Sequence, residues 1–171
     1  MDGLRAGFKK IAPEDFSLLK KWYGMTDTLG YATGFKTYEE IKGKILEHGR
    51  RSPFPFMVEL KGAGTAGFVY AELKQADRMM LLWIHVLLID PRYQRKGLGS
   101  WTVNRLLKTF NNRYPGLICI APVAFDNKEG IAFWEKNGFD RSPEMESALL
   151  RFGSKEVAIM RKAMTMPVDR K

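Results

Sequence analysis

An apolar run from Met79 to Ile89, broken only by His85, constrains this chain more than any other stretch. So continuous a run asks for cover on both faces and marks a central strand. It is shorter than the roughly 20 apolar residues that span a bilayer. Asp90-Pro91 ends it, since proline cannot donate to a strand ladder. The chain then passes through a basic, glycine-bearing turn, Gln94-Arg95-Lys96-Gly97-Leu98-Gly99, and enters a segment where Gly99, Val103, Leu106, Leu107 and Phe110 recur at helical spacing. A short apolar strand, Gly116 to Val123, follows. Strand, helix and strand make a crossover, which implies parallel pairing.

The remaining segments are organised around that unit. Leu4 to Ile11 suits a first strand. Pro13-Glu14-Asp15 opens a helix whose buried stripe is Phe16, Leu19 and Tyr23; Lys20 and Lys21 suit its C-terminal dipole, and Gly24 ends it. Met25 to Lys36 has turn-like composition mixed with Tyr31 and Phe35, and reads as a solvated connector or a pocket-lining loop. Thr37-x-x-Glu40 is a capping box that starts a second helix, with Tyr38, Ile41 and Ile45 on its buried face. The Arg50-Arg51 pair beyond it reads as solvated. Phe56, Val58 and Leu60 alternate as a strand that returns through Lys61-Gly62-Ala63-Gly64 into Thr65 to Leu73, a hairpin. Asp126 to Asn137 forms another helix, with Asp126-x-x-Glu129 at its start, Asn137-Gly138 at its end and Phe139 closing that end. Leu149 to Phe152 and Lys155 to Lys162 read as a last hairpin around Gly153-Ser154, and Met164 to Lys171 as a frayed tail. The expected architecture is α+β: a mixed, largely antiparallel central sheet of about six to seven strands with one parallel crossover, flanked by about four helices, in a single domain over residues 1–171.

The net charge of +9 favours an acidic partner, and nucleic acid, anionic lipid or a phosphorylated cofactor would each satisfy it. The positive residues are scattered and no nucleic-acid motif accompanies them, so neither nucleic acid nor membrane is an expected partner. Cys119 is the single cysteine, which excludes an internal disulfide, and its apolar surroundings predict a buried structural thiol in a cytoplasmic protein. Met1 to Lys10 lacks the apolar core of a secretory signal. No metal site is expected.

The basic turn lacks the third glycine of a dinucleotide fingerprint and the Gly-Lys-Ser/Thr of a nucleoside-triphosphate loop. What remains is the row of N–H groups from Arg95 to Ser100 at a helix start, where the first four donors have no partner within the helix. A pyrophosphate placed there would gain charge-assisted hydrogen bonds and a dipole contribution of about 0.3–1 kcal/mol. Arg92, Arg95 and Lys96 add positive charge. The alternative is a strand-to-helix turn that needs glycine for its geometry alone.

Two stretches, Ile89-Asp90-Pro91-Arg92-Tyr93-Gln94-Arg95-Lys96-Gly97-Leu98-Gly99 and Asn127-Lys128-Glu129-Gly130-Ile131-Ala132-Phe133-Trp134-Glu135-Lys136-Asn137-Gly138-Phe139, resemble in order and separation the signatures of the GNAT superfamily of acyl-CoA-dependent N-acetyltransferases. The resemblance extends in element order from about Leu4 to Met164. It implies acetyl-CoA (coenzyme A) as cofactor, with Gln94, Arg95, Lys96, Gly97, Leu98, Gly99 and Ser100 around the pyrophosphate. It further implies that the Leu87, Leu88 and Ile89 backbone pairs with pantetheine amides, and that Asn127 and Trp134 lie near the cofactor arm.

The family commonly has Tyr where this chain has Trp134, and an indole N–H cannot protonate the departing thiolate. A thiol of pKa about 8.5 can leave as thiolate, and Tyr93, Tyr114 and a bound water stay open as substitutes. Trp83 to Leu87 resembles the strand of aminoglycoside 6'-acetyltransferases that also carries a His, so His85 is the candidate catalytic base, with a core histidine as the alternative. Glu72 and Asp90 are further carboxylate candidates, although a strand-end carboxylate is usually just solvated. The expected function is direct acetyl transfer to a primary amine of a small molecule. A protein N-terminus or lysine, and a non-catalytic acyl-CoA-binding module, are the alternatives, and a homodimer stays open.

Overall fold

The computed structural model describes residues 5–34, 36–47, 54–151 and 157–165. Phe35, Arg50-Arg51, the turn at Gly153-Ser154 and the last part of the tail lie outside the described residues. The elements are β1 (Ala6–Lys10), α1 (Asp15–Tyr23), α2 (Thr26–Thr33), α3 (Tyr38–Glu47), β2 (Phe54–Leu60), β3 (Gly64–Ala76), β4 (Met79–Ile89), a 3-10 turn (Pro91–Tyr93), α4 (Leu98–Arg113), β5 (Ile118–Ala124), α5 (Lys128–Lys136), β6 (Asp140–Arg141), α6 (Pro143–Arg151) and β7 (Val157–Ala163). The seven strands are ordered β1-β2-β3-β4-β5-β7-β6. β4 and β5 pair in parallel, as the crossover predicts. The pairs β1–β2, β2–β3, β5–β7 and β6–β7 are antiparallel. The α+β reading of a mixed sheet therefore holds, although the helices exceed the four expected.

The chain forms two compact units, Met1–Glu72 with His85–Thr102, and Leu73–Ile84 with Val103–Lys171. In the first, Leu19 and Trp22 of α1, Leu29 of α2 and Ile41 of α3 pack with Met57, Phe68, Tyr70, Val86 and Leu88. A separate cluster gathers Val58, Leu60, Ala66, Ile89 and Leu98, with Phe8 and Trp101 against it. Adjacent residues such as Met57 and Val58, or Leu88 and Ile89, fall into different clusters because side chains alternate along a strand. The capping box at α3 forms as read: the Thr37 N–H donates to Glu40 Oε2 at 2.6 Å and the Glu40 N–H to Thr37 Oγ1 at 3.2 Å.

One expectation fails in this unit. Met25 to Lys36 is mostly the helix α2 and not a loop. Leu29 and Thr33 stand one turn apart and are both buried, so packing overrides the poor helix propensity of two threonines and a glycine in the first five positions. Gly34 ends the helix at φ +63°, a left-handed conformation that glycine adopts without strain.

In the second unit, Ile118, Ile120 and Ile159 form the centre of a cluster with Leu81, Trp83, Met145, Leu149 and Val157. Leu149, expected on a strand, lies on α6. Met145 and Leu149 sit one turn apart on its packed face, and Glu146 accepts the Ile159 N–H at 3.0 Å while Arg141 grips it through Nε and Nη2 at 2.8 and 2.9 Å. That buried carboxylate fastens the helix to β7. The α5 cap also differs from expectation. It is Asn127, and not Asp126, whose side chain accepts from the Gly130 N–H at 2.9 Å. Finally, β4 is not covered along its whole length: Leu82, Ile84, Val86 and Leu88 are buried, whereas Leu81, Trp83, His85 and Leu87 are half-buried.

Candidate active site

At the end of β4 the chain is held tightly. A Cβ on Gly67 of β3 would lie 2.6 Å from the Leu88 carbonyl oxygen, so only glycine permits this approach. The Asp90 N–H donates to the Ala66 carbonyl at 2.9 Å. The Asp90 carboxylate then organises the turn. It caps the 3-10 segment by accepting from the Arg92 N–H at 3.0 Å, and it receives Arg92 Nε at 2.9 Å and Nη2 at 3.0 Å. A fourth donor, the buried indole Nε1 of Trp22 on α1, approaches at 2.9 Å. The Arg92 guanidinium above all, helped by the indole and the Arg92 backbone, outweighs burial and holds the Asp90 pKa down at about 2.

Beyond the cap, Gln94 Nε2 donates back to the Ile89 carbonyl at 2.9 Å, and Lys96 Nζ to the Arg92 carbonyl at 2.9 Å. Arg95 and Gly97 adopt positive φ, +58° and +81°. The Trp101 N–H reaches the Gly97 carbonyl at 2.9 Å and so closes the first turn of α4. The N–H groups of Gly97, Leu98, Gly99 and Ser100 are then the four that the helix cannot satisfy. No acidic residue stands in that first turn, and Asp90, the sole acid between residues 90 and 101, is already neutralised by Arg92. The donor set fits a pyrophosphate. Leu87, Leu88 and Ile89 run directly into this turn. The Gln94 side chain, however, clamps the strand end and does not face outward.

Upstream on β4, His85 Nε2 lies 2.8 Å from Glu72 Oε2 of β3, with the two side chains 16% and 20% exposed, which leaves the pair within reach of a ligand. A carboxylate at this distance orients the imidazole and favours its protonated form. The Tyr70 ring tilts against the imidazole at 5.7 Å. Burial, reinforced by the neighbouring Glu72 carboxylate, raises the pKa of its hydroxyl to about 12. Gly34, the α2 cap, stands beside His85, its absent Cβ position 4.0 Å from the His85 carbonyl oxygen. Glu72 is therefore a histidine partner and not merely a solvated strand end. Asp90 is committed to Arg92 and Trp22.

The remaining predicted residues lie in the second unit. Asn127 is the α5 cap. Trp134 is buried, edge-on to Phe133 at 5.2 Å and to Phe139 at 4.8 Å, and the Phe139 N–H bonds the Trp134 carbonyl at 3.1 Å. This aromatic lock closes α5 as the Gly138-Phe139 pattern predicts. Cys119 is fully buried, which pushes its thiol pKa well above the usual range and removes it as a nucleophile. Of the substitute phenols, Tyr93 lies in the first unit between Arg92 and Lys96, with its hydroxyl 3.5 Å from the Ala63 carbonyl. Tyr114 lies in the second, against Arg113. Trp22 escaped the sequence reading altogether; its only signal is a position on the apolar side of α1, next to Tyr23.

A family model described as the acetyltransferase (GNAT) family matches residues 16–139. The chain belongs to this family. Among solved structures, a domain from Methanocaldococcus jannaschii superposes with a TM-score of 0.73 at 18% identity, covering 94% of this chain and 99% of that one. A spermidine N-acetyltransferase from Vibrio cholerae, in complex with CoA and spermine, gives 0.69 at 15% identity, covering 94% and 96%. The ribosomal-protein-S18-alanine N-acetyltransferase from Escherichia coli gives 0.64 at 17%, covering 97% and 98%. At these identities the likeness shows the GNAT fold. No match is found among curated proteins. Among the described residues, no helix is long and apolar enough to cross a membrane.

Proposed function

We propose that this GNAT acetyltransferase transfers acetyl from acetyl-CoA directly to the primary amine of a small molecule. The observation that carries the reading is the turn after β4, where Gly97 and the start of α4 present unsatisfied N–H donors beside Arg95 and Lys96, with the turn's one carboxylate neutralised. Gly97, Leu98, Gly99 and Ser100 hold the pyrophosphate, and the backbone of Leu87 to Ile89 lines up the pantetheine arm, with Asn127 and Trp134 assigned to that arm by the family signature. When bound, the thioester supplies an electrophilic carbonyl and a thiolate leaving group.

The chain's own part in the chemistry centres on His85. An amine must be unprotonated to attack, and the His85 imidazole accepts its proton while Glu72, 2.8 Å from Nε2, steadies the resulting imidazolium. Trp134 has no acidic proton to give to sulfur, and a thiol of pKa about 8.5 would not require one near neutrality. Direct transfer needs no covalent enzyme intermediate, and the buried Cys119 is not a nucleophile for one. A small acceptor is favoured because α2 packs Leu29 into the core and brings its Gly34 cap beside His85. The lone buried thiol suits a reducing cytoplasm, where we place the protein.

The test is CoA release from acetyl-CoA with a panel of polyamines, amino sugars and an alanine-terminated peptide, alongside calorimetry of acetyl-CoA binding. Turnover on a small amine is expected. His85→Ala should lower kcat by about a hundredfold or more with little change in acetyl-CoA affinity, and Gly97→Asp should abolish binding by placing a carboxylate beside the pyrophosphate. Tight binding without turnover on any amine would make the protein an acyl-CoA-binding module. Turnover on the peptide alone would make the acceptor a protein N-terminus.

A further inference from the structure

We propose that Asp90 is a positioning residue that couples α1 to the cofactor turn, with Trp22 as the joint. The inference rests on the acetyl-CoA reading of that turn. The Asp90 side chain is 7% exposed, and its two oxygens receive four donors: the Arg92 N–H, Arg92 Nε, Arg92 Nη2 and Trp22 Nε1, all between 2.9 and 3.0 Å. Three of these are local and shape the turn. The fourth comes from 68 residues away.

The indole of Trp22 has two attachments. Its ring, 1% exposed, packs in the cluster that also holds Leu29 of α2 and Ile41 of α3, beside Val86 and Leu88 of β4. Its N–H is bonded to Asp90. A buried indole N–H needs an acceptor, and a buried carboxylate needs donors, so the bond is costly to break from either side. The Asp90 carboxylate also sets where Arg92 points and where the chain turns toward Gly97. Any adjustment of that turn on binding a pyrophosphate is therefore transmitted to Trp22, and through the shared cluster to α2, whose Gly34 cap stands beside His85. By reciprocity, the placement of α1 sets the affinity of the turn.

Trp22→Phe deletes the donor and keeps an aromatic ring in the core. Leu19→Val, one turn earlier on α1, thins the same cluster without touching Asp90. Binding of CoA to wild type and both variants is measured by calorimetry, with the intrinsic tryptophan emission recorded during the titration. We expect Trp22→Phe to bind CoA roughly three- to tenfold more weakly, the scale of one ordinary net hydrogen bond, and to lose part of the emission change seen in wild type. Leu19→Val should bind like wild type while unfolding at a lower temperature. If Trp22→Phe binds CoA as wild type does, or if Leu19→Val loses as much affinity, the coupling is refuted and the cofactor reading stands. If wild type itself fails to bind CoA, the cofactor reading falls and the coupling with it.

Discussion

The close approach of β3 to β4 at Gly67 yields a quantitative prediction that links packing to the turn after β4. Gly67→Ala adds a Cβ 2.6 Å from the Leu88 carbonyl oxygen, 3.0 Å from Ile89 Cδ1 and 3.5 Å from Val58 Cβ. The Ile89 methyl can rotate aside. The Leu88 carbonyl is backbone, and it can reach ordinary contact only if β4 withdraws from β3 by more than half an ångström. Overpacking of this kind costs roughly 1–3 kcal/mol. The smaller conformational entropy of an unfolded chain carrying alanine returns about 0.4–1 kcal/mol. The expected net loss is therefore about 1–2 kcal/mol, or some 2–8 °C in Tm for a domain of this size.

Urea unfolding of Gly67→Ala is the assay, with a lower midpoint and an unchanged slope as the expected result. Gly7→Ala on β1 is the matched control, because a Cβ there meets nothing within 4 Å; its stability should stay within about 0.5 kcal/mol of wild type. The strain falls one residue from the Asp90 N–H bond to Ala66, so acetyl-CoA affinity should fall as well. If Gly67→Ala is as stable as the Gly7→Ala control, β3 and β4 are not in contact at this point and the reasoning is wrong.

Two further results are expected. Asn127→Ala should destabilise the protein by about 1 kcal/mol through loss of the α5 cap; Gly130→Ala, whose Cβ would collide with the Asn127 side chain, should destabilise wild type yet stabilise the Asn127→Ala background, a sign reversal that a double-mutant cycle in urea reads directly. The Asp90 carboxyl has a folded pKa of about 2 against an ordinary value of 3.8, so its contribution is complete above pH 4 to 5 and is lost as pH falls toward 2; the stability gap between wild type and Asp90→Asn should narrow by roughly 2 kcal/mol across that window, and a gap constant with pH would refute the Arg92 and Trp22 bonding.

The strand, turn and helix start proposed to hold the cofactor were legible as structure because they are local. From Leu87 to Ser100 a strand, a proline, a capped turn and a helix start follow one another in the chain, and each is dictated by the residue types within it. The same holds for the parallel crossover and for the Thr37–Glu40 box. What failed was decided at a distance. α2 is helical because Leu29 finds a core built from α1, α3 and three strands, and α6 because Glu146 finds Arg141 and the Ile159 N–H. The acceptor side shows the same physics at the level of single groups. Glu72 and Asp90 look alike in sequence, each a carboxylate in or just beyond a strand. Their different fates follow from partners that sequence spacing does not reveal: His85 across a hairpin for one, Trp22 on a remote helix for the other. A carboxylate facing an imidazole can sustain a base, and a carboxylate filled by a guanidinium and an indole can only hold a shape. The division between the two proposed roles, base support and positioning, is thus set by non-local packing, which leaves no trace in the spacing of the residues along the chain.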